Sequence, residues 1–76
     1  MKIDGFIWDE GNLSHLEHVH PDYNLLELED IVLREIKKYV GVDSRGNKIY
    51  AAKRKKITVI FNHRNNKARI FSLRIK

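Results

Sequence analysis

Cysteine is absent from the 76 residues. No disulfide can brace the fold, and no thiolate can act as nucleophile or metal ligand. Proline occurs once and glycine four times, and no linker, internal repeat or low-complexity segment is present. No apolar run approaches the length that crosses a membrane. The opening MKIDGFIWDEG carries acids where a secretion signal would carry an apolar stretch, so the expected location is cytoplasmic. A chain this short forms one domain, 1–76, and buries only roughly 60% of its unfolded surface. The hydrophobic fraction of 42% and charged fraction of 33% are ordinary for a folded domain.

What the chain has is cationic charge in one half. Residues 1–33 hold one Lys and eight acids, whereas residues 34–76 hold fourteen Lys and Arg and two acids. The net +5 therefore conceals an acidic first half and a strongly basic second half. A basic block of that density suits an anionic partner, and nucleic acid or an acidic protein is the expected class.

Periodicity supplies the elements. GFIW reads as an edge strand. Asp9 is suited to cap a helix over about Glu10–His18, with Leu13 and Leu16 as a thin apolar stripe. A second helix is expected from HPDYNLLELEDIVLREI, with Pro21 in or just before its first turn. Leu25, Leu28 and Val32 repeat at helical spacing. From Ile36 the period becomes two. KKYVGV, IYAAKR, ITVIFN and ARIFSLRIK read as strands, and ITVIFN as the central one. DSRGNK, RKK and HRNNK read as the turns between them, with Gly46 and Asn47 available for positive φ. In strict alternation Ala68, Ile70, Ser72 and Arg74 share one face, and Arg69, Phe71, Leu73 and Ile75 the other. The expected fold is α+β, two N-terminal helices packed on one face of an antiparallel β-meander.

Three of the four histidines lie between His15 and His20, and the fourth is His63. His15 and His18 are three apart and can reach one point on a helix, with His20 and Asp22 in reach for recruitment. A zinc centre needs three or four ligands with supporting hydrogen bonds, and no carboxylate recurs at ligand spacing elsewhere, so no metal is expected. Asn12 and His18 suit hydrogen bonds at the helix ends. His15 suits either a surface role or acid–base catalysis, its reference pKa lying near neutrality. Trp8 suits the core.

Trp8-Asp9, Asn12, His15 and His18, placed on the first strand and helix, resemble the opening of BrnT-like proteins, the toxin members of a bacterial type II toxin–antitoxin family. The ending ARIFSLR is similar to the family's iRiISaR strand, with Arg69, Ser72 and Arg74 on its Arg, Ser and Arg. ITVIFN is similar to its apolar LvVvf strand. The likeness runs over nearly the whole chain. It implies a RelE-like fold, metal-independent endoribonuclease activity, an RNA substrate, no cofactor, and a cognate antitoxin that also represses its own operon. In place of the family's Gly-Arg at the end of the second meander strand the chain has AAKR, with Lys53 or Arg54 as the substitute.

Cleaving RNA without a metal requires a base for the 2′-hydroxyl, cations for the phosphorane-like transition state and an acid for the leaving oxygen. His15, Arg69, Arg74 and Lys53 are the candidate catalytic set. Arg54, Lys55 and Lys56 at a hairpin tip, with His63 and Arg64 beside the next turn, are candidate RNA-binding residues. A regular strand puts Arg69 and Arg74 on opposite faces, so either could instead pair with a helix acid such as Glu17 or Glu29. A bulge near Ser72 or a frayed strand end would reconcile them, and at most one of the two is expected as a phosphate clamp on the open sheet face. A family member that binds antitoxin or nucleic acid with little or no cleavage is the alternative expectation.

Overall fold

The computed structural model describes residues 1–75. Its elements follow the order β1 (Gly5–Phe6), α1 (Glu10–Val19), α2 (Leu25–Arg34), β2 (Lys37–Val42), β3 (Lys48–Arg54), β4 (Ile57–Arg64) and β5 (Lys67–Ile75). The α+β expectation holds at this level. The second helix starts later than its sequence suggested. Pro21 and Asp22 form a turn, and Asn24 caps α2 by accepting from the Leu26 amide at 2.8 Å.

The sheet order is β1-β5-β4-β3-β2, with β4 in the centre. β2 to β5 form the antiparallel meander. β1 departs from the all-antiparallel expectation: it joins β5 in parallel, pairing Gly5 with Lys67 and Phe6 with Ala68. Both helices lie between β1 and the meander in sequence, which lets the first strand close the far edge of the sheet.

The core lies between helices and sheet. Leu16 of α1 and Leu28, Ile31 and Val32 of α2 meet Ala52, Val59, Phe61, Ala68, Ile70 and Leu73 of the sheet. Burying each larger side chain contributes roughly 1.5–3 kcal/mol over leaving it in water. Asn12 is the one buried polar residue among those described. Its side-chain oxygen accepts from the Asp9 amide at 2.7 Å, and its Nδ2 donates to the carbonyls of Ile7 and Ile70, both at 2.9 Å. In return Asp9 accepts from the Asn12 amide at 3.0 Å. This reciprocal cap fastens the start of α1 to β5.

The turns explain themselves locally. Gly46, at φ +83°, permits the β2–β3 reversal. Asp43 holds that reversal by accepting from the Arg45 and Asn47 amides at 2.9 Å each. Asn47 itself keeps a negative φ. Asn65 and Asn66, at φ +51° and +61°, make the two-residue β4–β5 turn. Paired positive φ values match the twist of a hairpin, and asparagine tolerates them well. Lys55 adopts φ +55° at the β3–β4 tip.

Candidate functional site: the open face of the sheet

One sheet face packs on the helices and the other is uncovered. The register identifies the uncovered side chains. Val59 and Leu73 are opposite one another and buried, so their neighbours Thr58 and Arg74 point to the open side. Lys53 pairs with Thr58 in turn. Lys53, Thr58 and Arg74 thus form a cross-strand row on the open face. Ala51, Ile60 and Ser72 form the next row, and Ile49, Asn62 and Arg69 the one after.

Arg69 and Arg74 share this face because β5 departs from strict alternation. Ile60 pairs with Ser72 and Phe61 with Ile70, which leaves Phe71 as an extra residue. The bulge shifts the parity of the strand's end. Ala68, Ile70 and Leu73 all reach the core as a result, while Arg69 and Arg74 face out. The helix-acid partners considered for these arginines, Glu17 and Glu29, take neither: Glu29 accepts from the Trp8 indole at 2.6 Å.

Arg69 is engaged all the same. Its Nε and Nη2 donate to the two Asp9 carboxylate oxygens at 3.0 and 3.1 Å. The Arg69 guanidinium, then the Asn12 amide, holds the Asp9 carboxyl down at a pKa of about 2. At neutral pH this carboxylate is a charged anchor and a poor proton acceptor. Lys67 is likewise paired, with Asp4 at 2.9 Å. Among the described residues, Lys38, Lys53, Arg64 and Arg74 have no carboxylate within ion-pair distance.

The other expected residues fall in three places. Arg54 lies on the helix face of β3, where its Nε meets Glu35 at 2.6 Å and its Nη2 meets Asp30 at 2.9 Å. Glu35, then Asp30, raises the Arg54 pKa, and the Arg54 guanidinium in turn lowers that of Asp30. Arg54, expected at the hairpin tip as an RNA-binding residue, is thus held on the helix side by two carboxylates: one residue earlier or later on a strand decides the face. Lys55 and Lys56 are exposed on the β3–β4 tip. His63 opposes Ala68 on the helix side and donates from Nε2 to the Lys2 carbonyl at 2.7 Å. His15 is exposed on α1, the layer across the sheet from Arg74 and Lys53. Lys53, Arg69 and Arg74 share the open face of the sheet, and His15 lies on the helix layer. His18 is exposed, and His20 donates from Nε2 to the Leu73 carbonyl at 3.1 Å. No three His, Asp or Glu side chains converge as a metal-binding group among the described residues.

Two depressions mark the open face. The larger, about 620 Å³, lies between the β2–β3 turn and the start of α1, with Ile49, Asn62, Arg64, Arg69 and Phe71 in its wall. The smaller, about 360 Å³, includes Lys38, Ala51, Lys53 and Thr58. Sequence reading missed Lys38, Arg45, Asn62 and Phe71 as site residues. Their one visible signal was Phe71-Ser72, where two residues between Ile70 and Leu73 break a simple in–out pattern.

No helix among the described residues is long and apolar enough to cross a membrane. No protein-family model matches the chain, and comparisons with curated proteins and with solved structures return no match.

Proposed function

We propose that the protein is a BrnT-like, RelE-like toxin that binds single-stranded RNA across its open sheet face and cleaves it without a metal. The bulge at Phe71 carries this reading, because it sets Arg74 and Arg69 on one surface with Lys53, Lys38 and Arg64. A phosphate laid over the Lys53–Thr58–Arg74 row meets two cations and a hydroxyl. Arginine and lysine match phosphate oxygens and stabilise the extra negative charge of a phosphorane. In the reaction the 2′-hydroxyl gives its proton to water as its oxygen bonds to phosphorus, the bond to the 5′-oxygen breaks, and that oxygen takes a proton from water. The products are a 2′,3′-cyclic phosphate and a 5′-hydroxyl. No histidine stands on this face, so charge stabilisation supplies the acceleration and turnover is slow. The proposed setting is the bacterial cytoplasm, with a cognate antitoxin whose acidic surface neutralises the open face. Its affinity then weakens as salt rises.

A second reading, binding of RNA or antitoxin without cleavage, is favoured by two observations. His15 lies across the sheet from Arg74, and Asp9 neutralises Arg69. Incubating purified protein with RNA in EDTA separates the two. Cleavage predicts fragments ending in 2′,3′-cyclic phosphate that disappear with Arg74→Ala. Intact RNA that remains tightly bound supports the second reading instead.

A further inference from the structure

We infer that the larger cleft is a nucleobase subsite, in which one unstacked base of a single-stranded RNA lies against Phe71 while the adjoining phosphate meets Arg64. This deepens the RNA reading above and rests on it. The walls combine the two chemistries a nucleotide needs. Ile7, Ile49 and Phe71 supply apolar and aromatic surface, and Arg45 and Arg64 supply cations, alongside the Asp9 and Asp43 carboxylates that Arg69 and the turn amides hold. Phe71 is there because it is the extra residue of the bulge, and in a regular strand its position would be filled by alternation alone. The cleft's volume of about 620 Å³ admits one base with its ribose rather than a folded partner element.

The polar wall is rigid. Asp43 accepts from the Arg45 and Asn47 amides and from the side-chain amides of Asn47 and Asn62, the last two at 3.2 Å each. Burial pushes the Asp43 carboxyl up, but these four donors outweigh it and leave its pKa lowered. It stays ionised and fully occupied by these donors, so it locks the turn that forms this wall of the cleft. The Asn62 side-chain oxygen takes no protein donor among the described residues, which leaves an acceptor for the N–H groups of a base edge.

Spacing ties the cleft to the cationic row. Asn62, opposite Arg69, and Thr58, opposite Arg74, are four residues apart on β4, roughly 14 Å along the strand. One strand of RNA can thus place a base in the cleft and a phosphate over Lys53 and Arg74. Stacking on an aromatic ring is tolerant of base identity, so the subsite recognises that the strand is unpaired more than which base it carries.

Fluorescence anisotropy with a six-nucleotide RNA and its abasic analogue, at low salt and in EDTA, tests the subsite. The intact strand is expected to bind about tenfold more tightly than the abasic one, and Phe71→Ala to remove that difference without weakening abasic binding. Phe71→Leu, which keeps an apolar side chain of similar size, is expected to behave the same way and serves if the alanine variant unfolds. Equal affinity for both strands, or equal weakening of both by the Phe71 variants, overturns the subsite and leaves backbone binding standing. Binding of neither strand overturns the subsite and the RNA reading together.

Discussion

Asn12 shows how much a single side chain can carry. It joins the N-terminus of α1, the end of the first strand segment and the middle of β5 through three hydrogen bonds inside the protein. Asn12→Ala leaves the Ile7 and Ile70 carbonyls without that donor, and a buried unpaired polar group costs about 1–3 kcal/mol. The expected loss is about 3 kcal/mol, measured as a lower midpoint in urea with the slope unchanged. Asp9 carries a different burden. Its folded-state pKa of about 2 lies below the ordinary carboxylate value, so its contribution is present above about pH 4 and is lost as pH falls toward 2. Asp30 and Asp43, also lowered, act in the same direction. Melting temperature is therefore expected to hold steady from pH 7 to 5 and to drop between pH 4 and 2. Asp9→Asn keeps the cap, since asparagine caps as well as aspartate, and should make that acid drop shallower. It should also free Arg69 and remove a negative charge from the cleft wall, strengthening RNA binding a few-fold at low salt and less as salt rises. An unchanged acid profile would show that the Arg69 pair carries little of the stability.

At the scale of elements, the hairpins were legible because their turn residues announce them. Asp43, Gly46, Asn65 and Asn66 sit where the chain reverses, and a switch to period two marks each strand. The Asp9 cap was legible for the same reason. Two features were not. β1 is two residues long and pairs with a strand more than sixty positions away, so no local pattern reveals its parallel partner. The bulge depends on which residues the core accepts: only with Leu73 buried opposite Val59 must Phe71 become the extra residue. Strict alternation therefore put Arg74 on the wrong side relative to Arg69, although a bulge was one arrangement that could unite them. Deleting Phe71 offers a test. Without it Ile70, Ser72, Leu73 and Arg74 alternate regularly and keep their present faces. The variant is expected to retain a dispersed amide NMR spectrum. An unfolded product would mean that the bulge itself, and not just its parity shift, is required for β5.

At the scale of the molecule, the charge division of the sequence becomes a division of surfaces, though less cleanly than the totals suggest. Acids of the first half reach four cations: Asp30 takes Arg34 and Arg54, Asp4 takes Lys67, and Asp9 takes Arg69. Lys38, Lys53, Arg64 and Arg74 remain on the open face without such a partner among the described residues. The charge asymmetry was plain in the sequence; which cations stay unpaired was not, because pairing crosses between layers that composition does not locate. Four phosphate contacts would give a plot of log affinity against log salt a slope of about −3 for a single strand. Arg74→Ala and Lys53→Ala should each flatten it by about 0.7. The most direct measurement is an amide NMR titration of the isotopically labelled protein with a short single-stranded RNA in EDTA. Progressive shifts confined to the open face, at Lys53, Thr58, Arg64, Phe71 and Arg74, are the predicted result. Shifts centred on His15 and the exposed side of α1, or none at any RNA concentration, would contradict it.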